Sequence, residues 1–142
     1  MANTTEARIH ALVEERSAAL RRKDAKGVVA CQAADHVLYS LAPPLRIDDP
    51  GTAGLDDWFA TWDGPIGYEV HDLGIVADGD VAFCHGLAHL TGTKTDGERA
   101  DVWFRITLGL RRTADGWTIV HEHESVPFYM DGSLRAAVDL KP

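Results

Sequence analysis

Apolar positions along the chain change their spacing once, near the middle. Ile9, Leu12, Val13, Ala19 and Leu20 recur at three- and four-residue steps, with Arg16 on the same stripe, so the spacing predicts an amphipathic helix over Thr4 to Arg22. Asn3 followed by Glu6 reads as a capping box at its start. Asp24 is placed to cap a second short helix through Ala33, and HVLYSL, His36 to Leu41, reads as a strand ended by Pro43-Pro44. GLDDWFATW, Gly54 to Trp62, suits a third helix stopped by Gly64-Pro65, with Trp58 and Trp62 one turn apart. From Ile66 onward the pattern alternates, and Asp78-Gly79, Asp96-Gly97 and Asp115-Gly116 divide it into four antiparallel strands. Helices followed by a long meander predict an α+β domain, residues 1–142, with three N-terminal helices covering one face of a curved antiparallel sheet. The last segment, DGSLRAAVDLKP, reads as a tail or strap.

The stretch WTIVHEHESVPF, Trp117 to Phe128, holds the densest polar chemistry. A regular hairpin at Thr113–Gly116, with a two- or four-residue loop, puts Phe104, Ile106 and Leu108 on one face with Ile119, His121, His123 and Ser125. Glu122 and Glu124 then fall on the opposite face, where Arg105 can pair with Glu124. A bulge would reverse one strand against the other. On this register the imidazoles sit on the floor of a pocket, and His121 or His123 is the expected acid/base group, since a histidine near its working pH can take or give a proton. Tyr39 or Tyr68 would hydrogen-bond a substrate oxygen, Ser125 would orient an imidazole, and Trp58, Phe59 and Trp62 would wall the site. His85 joins the pocket if the large face of FCHGLAHLTG points inward. Metal is disfavoured, because zinc wants three protein ligands and the nearest carboxylates face away; His85 as a third ligand is the minority reading.

Composition narrows the partners. Twenty-two acidic residues against 14 basic ones leave a formal net charge of −8, which argues against nucleic acid and anionic membranes. No apolar run reaches the roughly 20 residues of a membrane span, and the charged first 20 residues do not resemble a signal peptide, so a soluble cytoplasmic protein is expected. Cys31 and Cys84 form neither a disulfide framework nor a zinc pattern.

AALRRKD, WDGPIGYEV, DVAFCHGL, DVWFRITLGLRR and above all DGWTIVHEHESVPF resemble the SnoaL-like branch of the nuclear transport factor 2-like superfamily, which includes ketosteroid isomerase. The resemblance implies a cone of curved antiparallel sheet closed by three helices, a pocket within it, and a homodimer through the outer sheet face. It does not carry over the ketosteroid isomerase machinery. The tyrosine of that enzyme's first helix falls at Arg16, its aspartate base at Ser40, and its second oxyanion donor at or near Leu108. The reading is therefore a cofactor-independent isomerase, cyclase or hydrolase/dehydratase acting on a small apolar oxygenated molecule, with a non-catalytic binding or dimerisation domain as the alternative.

Overall fold

The computed structural model describes residues 4–142. In chain order the elements are α1 (Thr4–Arg21), α2 (Ala25–Val29), β1 (Gln32–Tyr39), β2 (Ile47–Asp48), α3 (Thr52–Phe59), β3 (Trp62–Asp78), β4 (Val81–Lys94), β5 (Arg99–Thr113) and β6 (Gly116–Ser125). The expected α+β plan is present, with the first helix ending within one residue of its predicted end. The proposed capping box involves Asn3, which lies outside the described residues. The Asp24 carboxylate does cap α2, accepting from the Gly27 amide at 2.9 Å.

The six strands form one sheet in the order β2-β1-β6-β5-β4-β3. The β3 to β6 run is an antiparallel meander, whereas β1 lies parallel to β6, with Val37 opposite His121 and Tyr39 opposite His123. That parallel pairing cannot be read from local periodicity, since it joins segments more than eighty residues apart. The β3–β4 connection is a tight turn at Gly79, where φ is +61° and glycine carries no steric penalty.

One face of the sheet is apolar and covered by the helices. Ile9, Val13, Ala19 and Leu20 of α1 meet Phe104, Ile106, Leu108 and Leu110 of β5 and Ile119 of β6 in a single buried cluster. Full burial of each large aliphatic chain stabilises by about 1.5–3 kcal/mol, so this cluster fixes α1 on the sheet. After β6 the chain folds back on itself through a bridge between Phe128 and Ala136, and Ala137 is buried. No helix among the described residues is long and apolar enough to cross a membrane.

The register of the last hairpin differs from the regular one. Its turn is short, and Thr113–Gly116, Arg111–Thr118 and Leu110–Ile119 pair as a regular hairpin would. Beyond that point Gly109 faces His121, Leu108 faces Glu122 and Ile106 faces Glu124. Val120 is the extra residue, a β-bulge, and it reverses the faces of everything after it. Glu122 and Glu124 therefore join the inner face, while His121, His123 and Ser125 turn outward. The expected pairing of Arg105 with Glu124 is replaced by an Arg105 Nε to Ser125 Oγ hydrogen bond at 3.2 Å.

Close backbone contact marks the far edge of the sheet, where the Trp62 ring packs on Gly92. A Cβ at position 92 would lie 2.8 Å from two carbons of that ring. Gly92→Ala should cost about 1–3 kcal/mol by overpacking, measured by urea unfolding.

Candidate functional site

Arg16 sits on the otherwise apolar stripe of α1 and is 5% exposed. A buried guanidinium needs an inward carboxylate, and the Val120 bulge supplies one: Arg16 Nη2 donates to Glu122 Oε2 at 2.7 Å. Arg16 Nη1 donates to the Tyr68 hydroxyl on β3 at 3.3 Å. Glu122 Oε1 faces His36 Nε2 at 3.7 Å, and His36 Nδ1 bonds the Ile119 carbonyl at 3.0 Å. Glu124 follows two residues along the same face, beside Glu122.

The two carboxyls are pushed in opposite directions. Burial opposes charge on Glu122, but Arg16, the hydrogen bond with Glu124 and His36 together hold its carboxyl below the usual range. Burial pushes Glu124 well above that range, and the hydrogen bond and charge of Glu122 push it further against the pull of Arg16. Arg16 thus favours the anion of Glu122, while burial and Glu122 favour the neutral form of Glu124. Burial also lowers the His36 imidazole, which favours its neutral form.

Glu124 is the least buried member of this group. It lines a recess of about 530 Å³ with Tyr39, His123 and the Ser40–Leu45 segment. Tyr39 and Ser40 bring two hydroxyl groups to the recess and His123 an imidazole, beside the exposed apolar residues Leu41, Pro43, Pro44 and Leu45.

The residues singled out from the sequence divide between the two faces. Tyr68, Phe104, Ile106 and Leu108 are inward and buried, and Trp62 is buried with its indole against Trp58. Trp58 itself is half-buried and Phe59 is core. His121 and His123 are not on that inner face. His121 Nδ1 lies 2.8 Å from the Val37 carbonyl, and both imidazoles contact the edge of the Tyr39 ring, at 4.7 and 5.3 Å between centroids. Ser125 meets Arg105 rather than an imidazole. His85 is exposed on the outer face beside Phe83, and among the described residues no three His, Cys, Asp or Glu side chains gather as a metal site. Only Tyr39 and His123 of these residues border the recess. Sequence reasoning missed Arg16, His36, Glu122 and Glu124 as site members, although an arginine on an apolar helical stripe was the available signal for an inward carboxylate.

The helix-covered sheet agrees with the comparisons with known proteins. Residues 9–129 match the model of the SnoaL-like domain, and the chain belongs to that family. A nuclear transport factor 2-like protein of unknown function from Pseudomonas putida KT2440 is 32% identical, with a TM-score of 0.87 over 100% of this chain and 99% of that one. A ketosteroid isomerase-like protein from Erwinia carotovora atroseptica SCRI1043 is 24% identical, with a TM-score of 0.70 over 87% and 97% of the two chains. A structure from Streptomyces avermitilis, named "putative dehydratase from the NTF2-like family", has a TM-score of 0.75 at 16% identity, covering 86% and 95%. No curated protein matches the chain in sequence.

The buried ion pair makes a stability prediction. Arg16→Met alone leaves Glu122 uncompensated and should cost about 3–5 kcal/mol, whereas Arg16→Met with Glu122→Leu should recover most of that loss, measured by chemical unfolding of both variants. Equal losses in the two variants would mean that the pair is not coupled.

Proposed function

We propose that this chain is a cofactor-independent acid/base enzyme acting on a small, largely apolar molecule that carries an oxygen function, with Glu124 as the proton donor. The observation that carries this reading is the carboxyl pair: Arg16 donates to Glu122 at 2.7 Å and favours its anion, burial and Glu122 favour the neutral form of Glu124, and Glu124 is among the residues lining the recess. A carboxylic acid kept neutral near pH 7 can protonate a leaving hydroxyl or a carbonyl oxygen, the step common to dehydration and isomerisation. Apolar residues 41 and 43–45 would hold the substrate skeleton, while Tyr39, Ser40 and His123 supply hydrogen bonds to its oxygens. The similarity to proteins named as a dehydratase and as ketosteroid isomerase-like supports the same reaction class. His121, turned away from this recess and bonded to the Val37 carbonyl, has a structural part in the reading.

A second reading, a non-catalytic binding or assembly domain, is favoured by one observation: Tyr68, Phe104, Ile106 and Leu108 fill the inner face and are all 2–4% exposed. The Glu124 carboxyl separates the two. By carbon-13 NMR its titration midpoint should lie well above the ordinary value of 4.5. Because its folded value is raised, its contribution to stability is full below the unfolded value and is lost as pH rises through the folded value. Glu124→Gln should remove that part of the pH slope of unfolding, and against a substrate found by thermal-shift screening it should cost about 100- to 10,000-fold in rate. A Glu124 that titrates in the ordinary carboxylate range would rule out the acid role.

We also propose that a second copy of the chain pairs through the outer sheet face. That face exposes Val76, Val81 and Phe83 and carries Trp103, stacked on His89 at 4.2 Å, next to the exposed Arg105. If so, Arg105→Glu should raise the dimer dissociation constant about tenfold or more in analytical ultracentrifugation. An unchanged dimer, or a wild-type monomer at high concentration, would refute the pairing.

A further inference from the structure

His36 is fully buried on β1, and the acid role of Glu124 makes no use of it. Its Nδ1 lies 3.0 Å from the Ile119 carbonyl, which can only accept, so Nδ1 carries the hydrogen. In the neutral ring Nε2 is then a bare lone pair. It points at Glu122 Oε1, 3.7 Å away, and neither atom has a hydrogen-bond partner. Two buried acceptors facing each other are costly, and a proton placed between them would convert the contact into a charge-assisted hydrogen bond. A merely structural histidine would offer its second nitrogen a donor; this one faces a carboxylate that is itself in hydrogen-bond contact with Glu124.

We propose that His36 is the inner end of a proton chain, His36–Glu122–Glu124, that converts Glu124 between acid and base forms without changing the net charge of the buried cluster. This inference rests on the reading of Glu124 as the acid/base group. The step is one of proton transfers only. The O–H proton of Glu124 passes to Glu122, and Glu122 delivers a proton from Oε1 to the lone pair of His36 Nε2. Before the shift Arg16 and Glu122 are charged, while Glu124 and His36 are neutral. After it Arg16 and His36 are cations, and Glu122 and Glu124 are anions. The sum is zero in both, so the net charge of the buried cluster is unchanged, and the desolvation of the new His36 cation and Glu124 anion is offset by their attraction to Glu122 and Arg16. An enzyme that must remove one proton and return another could thereby use a single carboxyl at the recess for both.

The charged and titratable groups around the chain are Arg16 of α1, Tyr68 of β3, and His121, Glu122 and Glu124 of β6. Arg16 faces both carboxyls and keeps Glu122 anionic between transfers. His121 opposes a positive His36, which limits how long the base form persists.

The test is a joint titration of the wild-type protein, following the Glu124 carboxyl by carbon-13 and His36 Nε2 by nitrogen-15 NMR. A shared proton makes both signals report the same two steps, because coupled sites titrate as a unit. In His36→Asn, whose side-chain amide can still donate to the Ile119 carbonyl, the Glu124 curve should collapse to one step. The wild-type titration decides the matter even if that variant does not fold. A His36 Nε2 that stays bare through both Glu124 steps would overturn the chain while leaving Glu124 an acid. A Glu124 midpoint in the ordinary carboxylate range would instead remove the proposed function.

Discussion

One extra residue in β6 governs the chemistry of this protein. Without the bulge at Val120, the apolar face that begins with Leu110 and Ile119 would continue through the two imidazoles, and both glutamates would face outward. With it, Glu122 and Glu124 turn in beneath α1. Arg16, already committed to the interior by the apolar residues around it on the helix, finds its counter-ion there at 2.7 Å. Bulge and ion pair depend on each other. A buried guanidinium with no carboxylate, or an inward glutamate pair with no guanidinium, would leave an unpaired charge in a low-dielectric interior.

From that constraint the rest follows by steps. Arg16 favours the ionised form of Glu122, and an ionised Glu122 disfavours a second charge beside it, which pushes Glu124 toward its neutral form. Glu124, one residue from the end of β6, lines the recess together with the segment after β1. The parallel pairing of β1 with β6 completes the arrangement. It brings Tyr39 alongside His123 and places His36 under Glu122, so one strand furnishes both the rim of the recess and the far end of the buried cluster.

Much of the fold was legible from the sequence because its signals are local and redundant. The α1 stripe, the three Asp-Gly turns and the switch to alternating apolar residues at Ile66 each identify an element without reference to the others, and the α+β plan is what remains when they are assembled. The SnoaL-like resemblance agreed with that plan. The site was less legible, for two physical reasons. Strand parity transmits any insertion to every later residue, and a bulge at an ordinary valine leaves no mark in the composition. The β1–β6 pairing is non-local, so His36 gave no sign that it would meet Glu122. Arg16 was the exception. Its place on an apolar stripe required an inward acid, and that requirement contradicted a register that put both glutamates outside.

The register of β5 against β6 is therefore the point on which the account stands, and cross-strand nuclear Overhauser contacts measure it directly. The account predicts contacts that pair Leu108 with Glu122 and Ile106 with Glu124. Contacts that pair Leu108 with His121 and Ile106 with His123 would contradict it, returning the imidazoles to the inner face and leaving Arg16 without its carboxylate.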